Sequence, residues 1–158
     1  MDDELNREAR ELLVQIRRVR IGYAGRMTRI LEGLGTNIPQ YTALAILEEK
    51  GEITMGTLAD ALGITMGAVT NIVDRLVEGG WATRERGTDD RRVVWVKISE
   101  AGRQALEKAV SAGADYVATW LEGVSPAERR AFIDMYRRIA ELIAATAAKA
   151  RTNPARSA

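Results

Sequence analysis

The chain contains neither cysteine nor histidine among its 158 residues. This excludes disulfides, thiol redox sensing, thiolate nucleophiles, zinc sites built on Cys or His, and a Ser-His-Asp triad. Long apolar runs are also missing, since none approaches the ~20 residues that a membrane span needs. The first residues, Met1-Asp2-Asp3-Glu4, are acidic, unlike the basic and apolar start of a secretory signal. We therefore expect a cytoplasmic protein that uses no metal, cofactor or membrane.

An excess of charge of one sign is missing as well. The 23 Lys and Arg residues nearly balance the 22 Asp and Glu residues, which leaves a net charge of +1. Global charge therefore gives no support to nucleic-acid binding, although local charge can still attract phosphates. Two segments are locally basic, residues 84–92 and residues 125–158. The length fits one compact domain.

What the sequence does contain is helical periodicity at both ends. Residues 4–31 repeat apolar side chains at helical spacing and predict a helix about 40 Å long. Ser99 is expected to cap a helix that reaches about residue 120. The segment Ser125-Pro126-Ala127-Glu128 is a complete capping box with proline at the first helical position, and it predicts a final helix.

The middle of the chain has a different pattern. Pro39 can begin a helix, and Thr54 and Thr65 are predicted N-caps of two further helices that join through Gly63-Ile64. A glycine turn of this kind holds two helices at a steep angle, as in a helix-turn-helix. Two short β-branched and aromatic segments, 81–86 and 93–98, then flank a polar loop. They predict a hairpin with a long tip.

These patterns together predict a mainly α fold with a small two- to three-stranded β wing. Residues 36–99 would form a winged helix-turn-helix lobe, and residues 1–35 with 100–148 a helical dimerisation region. Residues 149–158 would be a flexible tail. A long helix pair beside a helix-turn-helix is the natural dimer element. The predicted dimer interface consists of Leu5, Leu12, Ile16, Phe132, Tyr136, Ile139, Leu142 and Ile143.

The helix that starts near Thr65 is the predicted reading element, because the second helix of a helix-turn-helix lies in the major groove. Asn71 can make a bidentate contact with adenine, and Thr70 can donate to or accept from a base. Asp74 would repel phosphate unless it pairs with Arg75 or Arg84, or accepts from a cytosine amine. The predicted contacts of this helix are Thr65, Met66, Gly67, Ala68, Thr70, Asn71 and Arg75.

The hairpin tip has its own chemistry. Arg91 and Arg92 can reach a neighbouring minor groove, where the negative potential attracts arginine. Asp90 lies two residues before Arg92, so the two can pair across the turn and fix the direction of the guanidinium. The alternative is an ordinary solvated charge run. The predicted contacts of the wing and backbone are Thr54, Arg84, Arg86, Asp90, Arg91 and Arg92.

The run Thr65–Leu76, together with the later pattern, closely resembles the MarR family of bacterial and archaeal regulators. The later pattern consists of Gly80-Trp81, Asp90-Arg91-Arg92, Val96, Ile98-Ser99 and Gly102. The resemblance implies a homodimer built from the first and last helices, and DNA contacts from the 65–79 helix and Arg92. It also implies a small-molecule site between the dimer helices and the DNA-binding lobe. Many members carry arginine where this chain has Asn71, and the peroxide-sensing members use an N-terminal cysteine that this chain lacks.

Candidate residues for the small-molecule site are Tyr23, Met27, Gln40, Tyr41 and Trp120, which combine apolar surface with polar groups. The alternative is that each of them is ordinary core. Trp81 and Trp95 are assigned to packing of the hairpin.

The sequence therefore favours a regulator, expected to be a repressor, that binds a pseudo-palindromic duplex as a homodimer. A small aromatic or amphipathic effector would release it. The alternative is a winged-helix module that binds another protein instead of DNA. An enzyme that uses Asp89 and Asp90 ranks last, because carboxylates on an exposed loop beside two arginines are not expected to have raised pKa values.

Overall fold

A computed structural model describes residues 3–88 and 90–152, with side chains up to residue 146. The chain forms two compact units, Met1–Ala114 and Asp115–Ala158. The elements are α1 (Asp3–Gly33), α2 (Ile38–Lys50), β1 (Ile53–Thr54), α3 (Met55–Leu62), α4 (Met66–Glu78), β2 (Ala82–Arg86), β3 (Val94–Ile98), α5 (Glu100–Leu121) and α6 (Pro126–Thr152).

The two short helices of the first unit begin and end where the capping residues predict. The Thr54 hydroxyl oxygen accepts from the N–H of Thr57 at 3.1 Å, and that of Thr65 accepts from Ala68 at 3.3 Å. Gly63 ends α3 in the left-handed region, with φ of 67°, which glycine adopts without steric cost. The axes of α3 and α4 consequently differ by 108°, as in a helix-turn-helix.

The predicted hairpin is present, and a third strand extends it. The antiparallel sheet has the order β1-β3-β2. Along β2 and β3, Ala82 pairs with Ile98 and Arg86 with Val94. The two-residue strand β1 pairs Ile53 with Val96 across more than 40 positions of the sequence. Side chains alternate across a strand, so Val96 and Ile98 lie buried on one face while Trp95 is exposed on the other.

The core of the lobe joins α2, α3, α4 and the sheet. From α4, the side chains of Val69, Val73 and Leu76 are fully buried, whereas Ile72 packs at the margin. Burying a side chain of this size stabilises the folded state by about 1.5–3 kcal/mol. The inner face of α4 is therefore committed to the core, and its other face is left exposed.

Ser99 connects the base of the wing to the first turn of α5. Its hydroxyl donates to the carbonyl of Gly80 at 2.6 Å and accepts from the N–H of Gly102 at 3.0 Å, and its own N–H donates to the carbonyl of Trp81 at 3.0 Å. A Cβ at Gly102 would lie only 2.0 Å from the Trp81 carbonyl oxygen. Only glycine fits there without a shift of the backbone.

A second, smaller cluster buries the C-terminal part of α1. Met27 and Leu31 pack with Ala109 of α5, and Tyr23 and Tyr41 close the cluster. By contrast, the apolar side chains in the first half of α1 are exposed in the single chain.

In the second unit, the predicted capping box is formed. The Ser125 N–H donates to the Glu128 carboxylate at 3.0 Å, and the Glu128 N–H donates to the Ser125 hydroxyl at 3.4 Å. Hydrogen bonds from Ser125 lower the pKa of the Glu128 carboxyl. The helix α6 continues to Thr152, four residues into the predicted tail, and residues 153–158 lie outside the described part of the chain.

Candidate nucleic-acid interface

A groove of about 600 Å³ separates the starts of α3 and α4 from the wing. It is lined by Thr54, Met55, Gly56, Met66, Thr70, Arg84, Arg86, Arg92, Val93 and Val94. Six of these residues are predicted contacts, and they come from β1, α4, β2 and the loop between β2 and β3. The fold therefore brings predicted contacts of the helix and of the wing to one groove. Among the residues that the structure describes, the lining contains three arginines and no carboxylate.

The exposed face of α4 borders this groove. Met66 and Asn71 are exposed, and a Cβ at Gly67 would meet nothing within 4 Å. The Thr70 hydroxyl donates to the carbonyl of Met66 at 2.8 Å, which leaves its oxygen free to accept. The first turn of α4 thus carries small side chains and presents polar groups, which a helix needs in order to approach base edges.

The wing tip is organised by Asp90 and Arg92. The Arg92 side chain donates to the Asp90 carboxylate through Nε at 3.1 Å and Nη2 at 3.2 Å, and its backbone N–H donates at 2.9 Å. The Arg92 guanidinium and, secondly, this N–H lower the pKa of the Asp90 carboxyl. The predicted pairing across the turn is therefore present. Asp89, which the enzyme alternative also used, lies outside the described residues.

Asp74 pairs with Arg84, one of the alternatives that the sequence left open. Arg84 Nη1 donates to Asp74 Oδ1, which joins α4 to β2. Arg84 and Arg86 lie on the same face of β2, because they are two residues apart. Within the described part of the chain, no carboxylate pairs with Arg86.

Several predicted contacts lie outside the groove lining, and several lining residues were not predicted. The predicted contacts that do not line the groove are the exposed residues Thr65, Gly67, Asn71, Arg75 and Arg91 and the half-buried residues Ala68 and Asp90. The unpredicted residues are Met55, Gly56, Val93 and Val94. The first two follow the N-cap Thr54 directly, and this position could have indicated them.

The five candidates for a small-molecule site occupy different surroundings. A second cleft of about 270 Å³ is lined by Leu34, Thr36, Tyr41, Leu44, Trp81, Ala101, Gln104, Ala105, Leu106, Lys108 and Ala109. Of the five, only Tyr41 contributes to it. Trp81, which the sequence predicts to pack on the hairpin, lines this cleft and also packs against the core of the lobe.

The other candidates have structural contacts. Met27 is buried, and the Tyr23 hydroxyl donates to its sulfur at 3.4 Å. Gln40 is buried and its side-chain oxygen accepts from the Thr36 hydroxyl at 3.1 Å. Trp120 lies in the second unit and is exposed.

Among the residues that the structure describes, no single helix has both the length and the apolar character to cross a membrane. The helices α3 and α4 meet that requirement only as a bent pair.

Comparisons with known proteins agree with this geometry. The family model described as MarR family matches residues 36–94, which include α2, α3, α4 and the whole loop between β2 and β3. The structure of a MarR family protein from Bacillus stearothermophilus superposes with a TM-score of 0.76 at 26% identity, over 91% of this chain and 99% of that one. This chain contains a MarR family domain.

Two curated relatives are similar to just over half of this chain. The organic hydroperoxide resistance transcriptional regulator of Bacillus subtilis is 33% identical over 81 residues, 51% of this chain and 55% of the relative. The HTH-type transcriptional repressor IacR of Pseudomonas putida is 31% identical over 91 residues, 58% of this chain and 54% of the relative. Each alignment thus covers just over half of the relative. The relatives are transcriptional regulators and not enzymes, as the sequence predicted.

Proposed function

We propose that this MarR-family regulator binds a specific duplex DNA sequence through the groove between α4 and the wing. The observation that carries the proposal is the composition of that groove. Two helix N-termini, a smooth polar helix face and three arginines converge on one concave surface. Helix N-termini and arginines are the groups that bind phosphates, while a polar helix face reads bases.

In this proposal α4 enters the major groove with its first two turns. Asn71 makes a bidentate contact with adenine and Thr70 accepts from a base or touches a thymine methyl. Thr65, Met66, Gly67, Ala68 and Arg75 border the same face and approach bases or backbone. The start of α3 at Thr54 offers its N–H groups to a phosphate.

The wing places Arg92 in the adjacent minor groove, with Arg86 and Arg91 beside the backbone. The exposed guanidinium of Arg92 is already oriented by Asp90, so less side-chain entropy is lost when it binds. A narrow A·T-rich minor groove concentrates negative potential and attracts such a group.

Dimerisation is supported by the apolar surface that a single chain leaves exposed. Leu5, Leu12 and Ile16 on α1 are 50–56% exposed, and Phe132, Tyr136, Leu142 and Ile143 on α6 are 49–64% exposed. Large apolar side chains exposed along a helix are typical of a surface that another chain covers. A homodimer would bind a pseudo-palindrome with half-sites about 10 bp apart, centre to centre.

Regulation by a small molecule is the third part of the proposal. The cleft beside Tyr41 and Trp81 is a site for an aromatic or amphipathic effector, because two rings border it next to the polar ends of Gln104 and Lys108. Such an effector changes DNA affinity only if it binds one arrangement of the reading helices better than the other. A repressor role is favoured by the similarity to a repressor of Pseudomonas putida.

Selection of bound duplexes from a random pool by the full chain tests the proposal. We expect enrichment of a pseudo-palindromic sequence whose half-sites are about one helical turn apart. Affinity for the enriched duplex should fall steeply as salt rises. No enrichment at low salt would contradict DNA binding and would favour the alternative of a protein-interaction module.

A further inference from the structure

The three arginines that line the DNA-binding groove are not equivalent. Arg92 is paired with Asp90 on its own loop, and Arg84 is paired with Asp74 on a different element. For Arg86, the described residues provide no carboxylate partner. How freely each guanidinium can reach a phosphate therefore depends on whether a carboxylate holds it.

Asp74 lies on the same face of α4 as Thr70, one turn further from the start of the helix. A carboxylate at this position faces the DNA side of the molecule, where it would repel phosphate. The structure instead gives it the Arg84 guanidinium, which comes from the central residue of β2. Both side chains are about two-fifths exposed, at 41% for Arg84 and 42% for Asp74.

We propose that Asp74 is a positioning residue that holds Arg84 away from DNA and fixes the wing against the reading helix. The inference rests on the proposed DNA binding. In this view Arg84 adds positive charge to the groove but makes no direct phosphate contact, because its Nη1 donates to Asp74 and this turns the guanidinium toward α4. Asp74 does not read a cytosine. The pair joins the element that reads the major groove to the element that carries Arg92, and so sets their separation.

The salt dependence of binding separates this role from a purely structural one. Each phosphate that a protein neutralises contributes about −0.9 to the slope of log K against log salt. In Asp74→Asn, Arg84 is released and can reach a phosphate, so the slope should steepen by about 0.9 for each protomer. Affinity for a scrambled duplex should rise, and discrimination in favour of the selected duplex should fall roughly two- to fivefold, the range set by exposed ion pairs.

A double-mutant cycle tests whether Arg84 causes the steeper salt dependence expected in Asp74→Asn. Arg84→Gln alone should leave the slope unchanged, since Arg84 contacts no phosphate in the unmodified chain. Adding Arg84→Gln to Asp74→Asn should return the slope to its original value. The conservative variant Asp74→Glu keeps the charge and should keep both slope and discrimination. Thermal unfolding of each variant checks that it is folded.

A matched control is the ion pair between Glu48 and Arg103, which joins α2 to α5 at 2.9 Å with exposures of 44% and 49%. Because Arg103 also pairs with Glu100 at 3.4 Å, Glu48→Gln is combined with Glu100→Gln. The double variant releases an arginine that does not line the groove, so the slope should not change. The inference is overturned if Arg84→Gln alone makes the slope shallower, or if Asp74→Asn leaves it unchanged while the original chain binds its selected duplex. Failure of the original chain to bind any duplex overturns the proposed function instead.

Discussion

Arg92 and Asp90 form a closed ion pair at the tip of the wing, held by three hydrogen bonds of 2.9–3.2 Å. The Arg92 side chain is nevertheless 91% exposed. An exposed arginine is ordinarily mobile and loses considerable side-chain entropy when it binds. Here the carboxylate two residues earlier limits that loss, so the wing presents an oriented cation.

Replacing Arg92 with alanine should weaken binding to the selected duplex roughly tenfold to hundredfold, as expected for the loss of a guanidinium contact of about 1–3 kcal/mol. Arg92→Lys should not restore it, because an ammonium lacks the planar fork that Asp90 orients. Titration of a labelled duplex measures the effect. Arg103→Ala, which removes another paired arginine outside the groove, should leave affinity unchanged. Equal losses in both variants would contradict a specific role for the wing.

DNA binding should be insensitive to pH between about pH 5 and pH 8, because the chain contains no histidine. The Asp90 carboxyl has its pKa lowered below its usual 3.8 by Arg92. A lowered pKa means that the ion pair is fully present above the ordinary value and is lost only as pH falls through the lowered one. Duplex affinity measured at constant ionic strength checks this. A transition near pH 6 would show that a different group controls binding.

Asn71→Ala should relax base preference at one position of each half-site without abolishing binding, because one bidentate contact contributes about 1–3 kcal/mol of discrimination. Repeating the duplex selection with the variant measures the change position by position. Glu78→Ala, on the exposed last turn of the same helix, is the control and should leave the selected sequence unchanged. An unchanged preference in Asn71→Ala would remove Asn71 from the reading set.

Gly102→Ala should destabilise the lobe by about 1–3 kcal/mol, as expected for overpacking. The added Cβ would lie 2.0 Å from the Trp81 carbonyl oxygen and 2.8 Å from Ile98 Cγ1. Gly25→Ala is the matched control in α1, since its Cβ meets nothing within 4 Å, and it should be neutral or stabilising by up to about 1 kcal/mol. Urea unfolding measures both. Similar stability of the two variants would contradict the close packing at Ser99.

The apparent melting temperature should rise with protein concentration if α1 and α6 form a dimer interface, because association stabilises the folded chain by mass action. Leu12→Lys with Ile16→Lys should abolish that dependence and halve the sedimenting mass. Glu11→Lys adds the same charge at a neighbouring exposed position and should retain the dimer. A concentration-independent, monomeric starting chain would remove the dimer from the proposal.

The sequence by itself determined the features whose atoms are close along the chain. The caps at Thr54 and Thr65 and the box at Ser125 each use a hydrogen bond across three residues, and the Asp90 pair with Arg92 spans two. At such separations the backbone geometry of a cap or turn leaves few alternatives. Residue spacing is then enough to predict the contact.

Only the tertiary structure decided which partner each longer-range group takes. The sequence left both Arg75 and Arg84 as possible partners of Asp74. The packing of β2 beside α4 brings Arg84 to it. The pairing of β1 with β3 likewise joins Ile53 to Val96, a contact that neither segment predicts alone. Met27, a candidate for a ligand site, became core because α5 covers it at Ala109. These outcomes depend on how elements pack, which the local pattern of side chains does not encode.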